Sequence, residues 1–230
     1  MLNRWERFAW LGGILYVVAL VTESIVSVGV KANQNDSAAK IAGELSDHHK
    51  RVVVVACISI FYAVGFVIYL ARLHNVLRGV ADRSRELVSL VLVGGVLFVV
   101  LHAVSDIGIT GMLGAKVATY AAQHDQGLSY MLYLLTFALD SVGDVFGSLF
   151  LVSAGVLILR SGLLPRWLAW IAIAAGVLFF IQGFGLGGVI SNFGLAVDLI
   201  GFLLFLIFVL ASSLISLTRE TRATVGASPT

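Results

Sequence analysis

The chain has 230 residues, of which 59% are hydrophobic and only 12% are charged, and its mean hydropathy is +1.00. A soluble domain has about a quarter of its residues charged, so this composition predicts an integral membrane protein. The formal net charge of +2 arises without any basic tract, which excludes nucleic acid as a partner. We therefore expect the lipid bilayer to be the main partner of the chain.

Long apolar runs recur along the sequence and are separated by polar or charged segments. A helix needs about 20 apolar residues to cross the hydrocarbon core. The runs predict one all-α domain over residues 1–218, a six-helix membrane bundle, followed by a disordered tail over residues 219–230. The predicted spans cover residues 8–30, 51–72, 86–112, 129–160, 165–188 and 192–217. The basic start and first apolar run resemble a signal peptide, but the run is long enough to span, and we interpret it as a retained helix.

A polar segment, residues 31–50, separates the first two spans. Asp36 or Ser37 is suited to cap a short helix there. The apolar residues of that helix share one face: Ala38, Ile41, Ala42 and Leu45. This pattern predicts a helix that lies along the membrane surface.

The distribution of Lys and Arg predicts the orientation, because cytoplasmic loops are enriched in both. With the N-terminus inside, the inner segments hold Arg4, Arg7, Arg72, Arg78, Arg83, Arg85, Arg160, Arg166, Arg219 and Arg222, and the outer ones hold Lys31, Lys40, Lys50, Arg51 and Lys116. The bias favours both termini in the cytoplasm. We expect a multi-pass protein of the bacterial inner membrane.

Polar side chains within the spans fall at a similar depth. At about 1.5 Å per residue from the predicted inner end of each span, they lie roughly 22 to 28 Å away, in the outer third of the bilayer. The set comprises Glu23, His102, Asp106, Asp140, Asp144, Gln182 and Asp198. Side chains that were polar by chance would be scattered in depth, so we predict that this layer is a ligand-binding or ion-binding site.

Lys and Arg occur only at the ends of the predicted spans, so none lies in the interior of a span to neutralise these carboxylates. A buried carboxylate without a counter-charge is costly. The groups therefore share protons, bind a cation, or face a water-filled vestibule that opens outward. The cofactor is unknown, with a cation as the candidate.

Structural interpretations compete with the functional one. Asp140 and Asp198 equally suit the outer headgroup boundary, where a carboxylate costs little. The other ionisable side chains of the layer can form interhelical hydrogen bonds that only fix packing. His102 and Asp106 are four positions apart, which in an α-helix places both on one face and predicts an imidazole held by a carboxylate.

Three weaker patterns have structural explanations. Gly143 and Gly147 form a G-x-x-x-G that suits close helix approach. Gly183, Gly185 and Gly188 match a dinucleotide-binding pattern but follow no strand, so we interpret them as a loop or a packing site. Tyrosines such as Tyr62 suit the membrane interface or core filling. A metal-capturing rim of His48, His49 and His124 is disfavoured by its spacing.

Several passages resemble an uncharacterised bacterial family of six-helix integral membrane proteins. They are Asp36-Ser-Ala-Ala-Lys-Ile-Ala42, Arg51, Tyr69-Leu-Ala-Arg-Leu73, and residues 155–176 with Arg160-Ser-Gly-Leu-Leu-Pro-Arg-Trp-Leu168 at their centre. The resemblance implies the fold and supports the topology, and it implies no activity and no catalytic residue.

Three functional hypotheses remain open. The first is a small transporter or ion-translocating protein whose acidic layer binds protons or a cation from outside. The second is a non-catalytic scaffold, sensor or assembly partner with a structural polar layer. The third and least favoured is a membrane-embedded hydrolase in which His102, Asp106, Asp140 and Asp144 hold a divalent ion that activates water. The oligomeric state is not indicated by the sequence.

Overall fold

The computed structural model describes residues 8–32, 35–80, 84–113, 126–184 and 193–225. All regular structure within these residues is helical, which confirms the predicted all-α class. The helices are α1 (Leu11–Ser27), α2 (Ala38–Asp47), α3 (His49–Val80), α4 (Arg85–Ala103), a π-helical segment (Val104–Thr110) that continues α4, α5 (Gln126–Ser161), α6 (Arg166–Phe184) and α7 (Phe193–Val225).

Five of the described helices are long and apolar enough to cross a membrane: α3, α4 with its π-helical segment, α5, α6 and α7. Helix α1 is also apolar, and its 17 residues are near the lower limit for a span. The chain is therefore a multi-pass membrane protein built as a helical bundle. The placement of both termini in the cytoplasm stays a prediction.

Two predicted helix ends need correction. Helix α3 continues past residue 72 to Val80, because Leu73 and Leu77 still face the core and are fully buried. Helix α7 continues to Val225, into the stretch predicted as a disordered tail, since Arg, Glu and Ala there are good helix formers. Residues 185–192, at the predicted junction of the last two spans, lie outside the described residues.

The membrane helices pack as a ring in chain order. Helix α1 packs against α3, α3 against α4, α4 against α5, α5 against α6 and α6 against α7, and α7 closes the ring against α1. Aromatic side chains fill the centre. The ring of the fully buried Phe66 on α3 lies 5.2 Å from Tyr16, 5.5 Å from Phe98, 5.7 Å from Phe150 and 6.0 Å from Phe205 between centroids, so it contacts four other helices.

Helix α2 closes one end of the bundle, which we call the capped end. The Ser37 side chain accepts a hydrogen bond from the backbone N–H of Lys40, which confirms one of the two predicted caps. Most of the predicted apolar face is buried against protein, and its position along the membrane surface stays a prediction. Its residues Ile41 and Leu45 form a cluster with Val52, Ile109 and Leu113.

The segment that leads into α2 is hydrogen-bonded to the bundle at the same end. The backbone N–H of Lys31 donates to Oε2 of Glu44 at 3.1 Å, and the Tyr133 hydroxyl donates to the Ala32 carbonyl at 2.8 Å. These bonds join the α1–α2 connection to α2 and to α5. The capped end is thus held by polar contacts as well as by its apolar cluster.

Helices α1 and α3 touch through a reciprocal pair of glycines. A Cβ at Gly12 would lie 2.7 Å from the Gly65 carbonyl oxygen, and one at Gly65 would lie 2.8 Å from the Gly12 carbonyl oxygen. Backbone on both sides prevents simple relaxation. The small residues therefore set the distance between the two helices.

We expect Gly65→Ala to lower the free energy of unfolding by about 1–3 kcal/mol, because the added methyl overpacks a backbone contact. Gly79→Ala is the matched control on the same helix, since a Cβ there meets nothing within 4 Å. Thermal melting of both purified variants measures the difference. Equal melting temperatures for the two variants would contradict the predicted contact.

Candidate functional site

The structure brings together five ionisable side chains of the predicted layer, which we call the acidic cluster. Its members come from three helices and are connected by contacts or by electrostatic interactions. They are Glu23 on α1, His102 on α4, Asp106 on the π-helical segment, and Asp140 and Asp144 on α5. Shared depth in the sequence thus corresponds to spatial proximity for these five residues.

A π-helical segment begins between His102 and Asp106, the two members that the sequence predicts on one face. His102 belongs to the last turn of α4, whereas Asp106 lies in the wider turns of the segment, where the hydrogen bonds run between more distant residues. The structure places the imidazole of His102 against Asp144 instead of Asp106. The two side chains bind different neighbours, although they remain within electrostatic range of each other.

Asp106 is hydrogen-bonded to Tyr62, whose hydroxyl donates to Oδ2 of the carboxyl group. Tyr62 is buried on α3, and its ring packs edge-on against Tyr16 of α1 with 5.9 Å between centroids. The neighbouring Ser105 hydroxyl donates to the Thr136 carbonyl on α5 at 3.3 Å. The segment is therefore bonded to α3 on one side and to α5 on the other.

His102 faces Asp144 across the contact between α4 and α5. Its Nε2 lies 3.6 Å from Oδ1 of Asp144, with the two side chains 20% and 7% exposed. Its Nδ1 lies 2.9 Å from the Phe98 carbonyl oxygen. Asp140 is also within electrostatic range of the ring.

Gly143 makes room for the imidazole. A Cβ at this position would lie 2.7 Å from both Cε1 and Nδ1 of His102. One turn away, a Cβ at Gly147 would lie 2.7 Å from the Phe98 ring. The predicted close approach at this G-x-x-x-G is confirmed, and its partner is α4.

Glu23 joins the acidic cluster from α1. Its carboxyl group is within hydrogen-bonding reach of Ser59 on α3 and interacts electrostatically with Asp106 and Asp140. Among the residues that the structure describes, Oε2 of Glu23 is buried without a hydrogen-bond partner. The Ser59 hydroxyl also lies 3.0 Å from the Val55 carbonyl, so whenever it donates there, only a protonated Glu23 can supply a hydrogen to Ser59.

The two remaining predicted site residues, Gln182 and Asp198, are not members of the acidic cluster. Gln182 is half-buried on α6, next to Gly183, where a Cβ would lie 2.7 Å from the Ser141 carbonyl of α5. This position is near the stretch of α5 that carries the two aspartates of the acidic cluster. Asp198 lies within α7, but its side chain is outside the described part of the structure. His124, Gly185 and Gly188 lie outside the described residues.

Across the described ranges, no group of three or more His, Cys, Asp or Glu side chains is placed to hold a metal ion. The four residues of the hydrolase hypothesis are all within those ranges.

These features define the class: a multi-pass helical membrane protein with ionisable side chains clustered between its spans. The chain belongs to the family described as a domain of unknown function, DUF4386, whose model matches residues 11–215. That match covers α1 to α6, α7 as far as residue 215, and the whole acidic cluster. No curated protein matches the chain, and no solved structure does.

We expect Tyr62→Phe to cost about 1–3 kcal/mol of folding free energy, because it leaves the Asp106 carboxyl without its buried donor. Tyr69→Phe is the matched control, since it removes another buried tyrosine hydroxyl, which is bonded to the Ser212 hydroxyl at 2.8 Å instead of to a carboxylate. Melting curves over a range of pH measure both. Only Tyr62→Phe is expected to change the pH dependence of stability, and identical pH profiles would contradict the assigned bond.

Proposed function

We propose that this protein binds protons or a small cation at the acidic cluster and translocates them, or a coupled solute, across the bacterial inner membrane. The observation that carries the proposal is the electrostatic interaction of Glu23 with Asp106 and Asp140, which come from three separate helices inside a membrane bundle. Ionisable groups at that depth are expensive and typically mark ion pathways or proton relays. On the predicted orientation, the cluster faces the outer leaflet.

The charge balance among the members of the acidic cluster supports the proposal. His102 is the one member that can carry positive charge, and it faces three aspartates. Full ionisation would therefore place more negative than positive charge among these members in a low-dielectric environment. Bound protons or a bound cation remove that imbalance.

The second candidate is a scaffold or sensor whose polar groups only fix helix packing. The contacts of Asp106 with Tyr62 and of Asp144 with His102 favour it, since such interhelical bonds stabilise bundles without any transport. The two candidates differ in what a neutralised carboxylate does. Loss of flux indicates transport, whereas loss of stability alone indicates a structural role.

We expect Glu23→Gln and Asp144→Asn to reduce ion-driven pH changes in reconstituted liposomes by about tenfold or more, the factor that corresponds to about 1.4 kcal/mol. The assay loads vesicles with a pH-sensitive dye and imposes a proton, Na⁺ or K⁺ gradient. Asp47→Asn, at an exposed position on α2, is the control and is expected to keep wild-type flux. The proposal fails if both cluster variants retain full flux while their melting temperatures fall.

A further inference from the structure

The backbone fixes which nitrogen of His102 exchanges its proton. Nδ1 lies 2.9 Å from the Phe98 carbonyl oxygen, and a carbonyl only accepts hydrogen bonds. Nδ1 must therefore carry a hydrogen whenever this bond is made. Nε2 is left as the position that gains and loses a proton.

Nε2 points at a carboxylate that is almost completely buried. It lies 3.6 Å from Oδ1 of Asp144, whose side chain is only 7% exposed. If Nε2 and Asp144 were both deprotonated, the nitrogen lone pair would face an anionic oxygen. One proton between the two atoms, on either Nε2 or Oδ1, converts this repulsion into attraction.

The surroundings of the ring favour a proton over a metal cation. The charged groups that face it are Asp140 and Asp144 from α5 and Asp106 from its own helix. The described residues nevertheless provide no set of three ligands at metal-binding positions. A proton needs only two facing atoms, and this pair provides them.

The position of the His102 ring depends on Gly143. A Cβ at Gly143 would lie 2.7 Å from Nδ1 and Cε1, the side of the ring that is bonded to Phe98. The Phe98 side chain packs on the ring with 4.4 Å between centroids. Gly143 therefore allows the ring to reach the Phe98 carbonyl and Asp144 together.

We propose that the ligand of the acidic cluster is a proton, held at His102 Nε2 and shared with Asp144, and that Gly143 is the positioning residue of this site. This inference rests on the proposed function and names its ligand. On loading, the Nε2 lone pair forms an N–H bond with a proton from hydronium, which leaves as water. Release to water is the reverse step, and no other reactant is consumed.

The test is nuclear magnetic resonance of the purified full-length protein with ¹⁵N-labelled histidine, followed across a pH titration. The His102 signals are assigned by their loss in His102→Gln. In the wild type, Nδ1 is expected to stay protonated throughout while Nε2 alone titrates. A neutral ring that is protonated on Nε2, or an Nε2 that does not titrate, overturns the inference without needing any variant to fold.

Two variants extend the test. Asp144→Asn is expected to let the neutral Nδ1-protonated ring persist to lower pH, since the partner of the imidazolium is gone. Gly143→Ala is expected to break the Phe98 bond and give a mixture of the two neutral tautomers. Gly155→Ala is the control, because it overpacks the same helix against Ile173 and Ala169 of α6 and not against Phe98 or the imidazole. Unchanged His102 spectra in both test variants overturn the proposal.

The liposome assay separates this inference from the proposed function. An Nε2 that titrates as expected, in a protein that moves no ions, supports the proton site and overturns the proposed transport. Flux that is lost in Asp144→Asn, together with an Nε2 that never titrates, supports transport and overturns the proton as its ligand. The two claims thus fail through different measurements.

Discussion

Helices α4 and α5 approach each other until backbone meets backbone: a Cβ at Gly94 would lie 2.8 Å from the Phe146 carbonyl oxygen. Further along the same contact, Gly143 admits the imidazole of His102. Lipid is as apolar as the helix surface, so small residues and interhelical bonds must hold such a bundle together. The same close approach sets the distance between His102 and Asp144. Packing and the candidate chemistry therefore depend on one helix–helix contact.

Helix α4 and the π-helical segment that continues it place ionisable side chains against two different helices. Its wider turns begin one residue after α4 ends at Ala103, between the histidine and the aspartate that a regular helix would align. π-Helical turns occur often at functional sites, where a local change of register redirects side chains. In the structure Asp106 is bonded to Tyr62 of α3, and His102 faces Asp144 of α5. The acidic cluster is thus in contact with both neighbouring helices of α4.

Much of the fold follows from composition and periodicity, because a bilayer permits few alternatives to a helical bundle. Depth along each span also predicts which polar residues meet, since every helix rises by the same amount per residue. The sequence does not predict which members of the acidic cluster contact each other. A spacing of four residues pairs His102 with Asp106, and nothing in the residue pattern predicts a π-helical turn. The sequence assigns Tyr62 only to the membrane interface or to core filling, although its place one turn from Ser59 indicates its depth.

The apolar cluster at the capped end has a mechanical consequence. It joins Ile41 and Leu45 of α2 to Ile109, which belongs to the π-helical segment, three positions beyond Asp106. This packing couples the position of α2 to the turn that carries the Asp106 carboxyl group. A displacement of α2 would therefore strain the interior of the bundle through side-chain contacts alone.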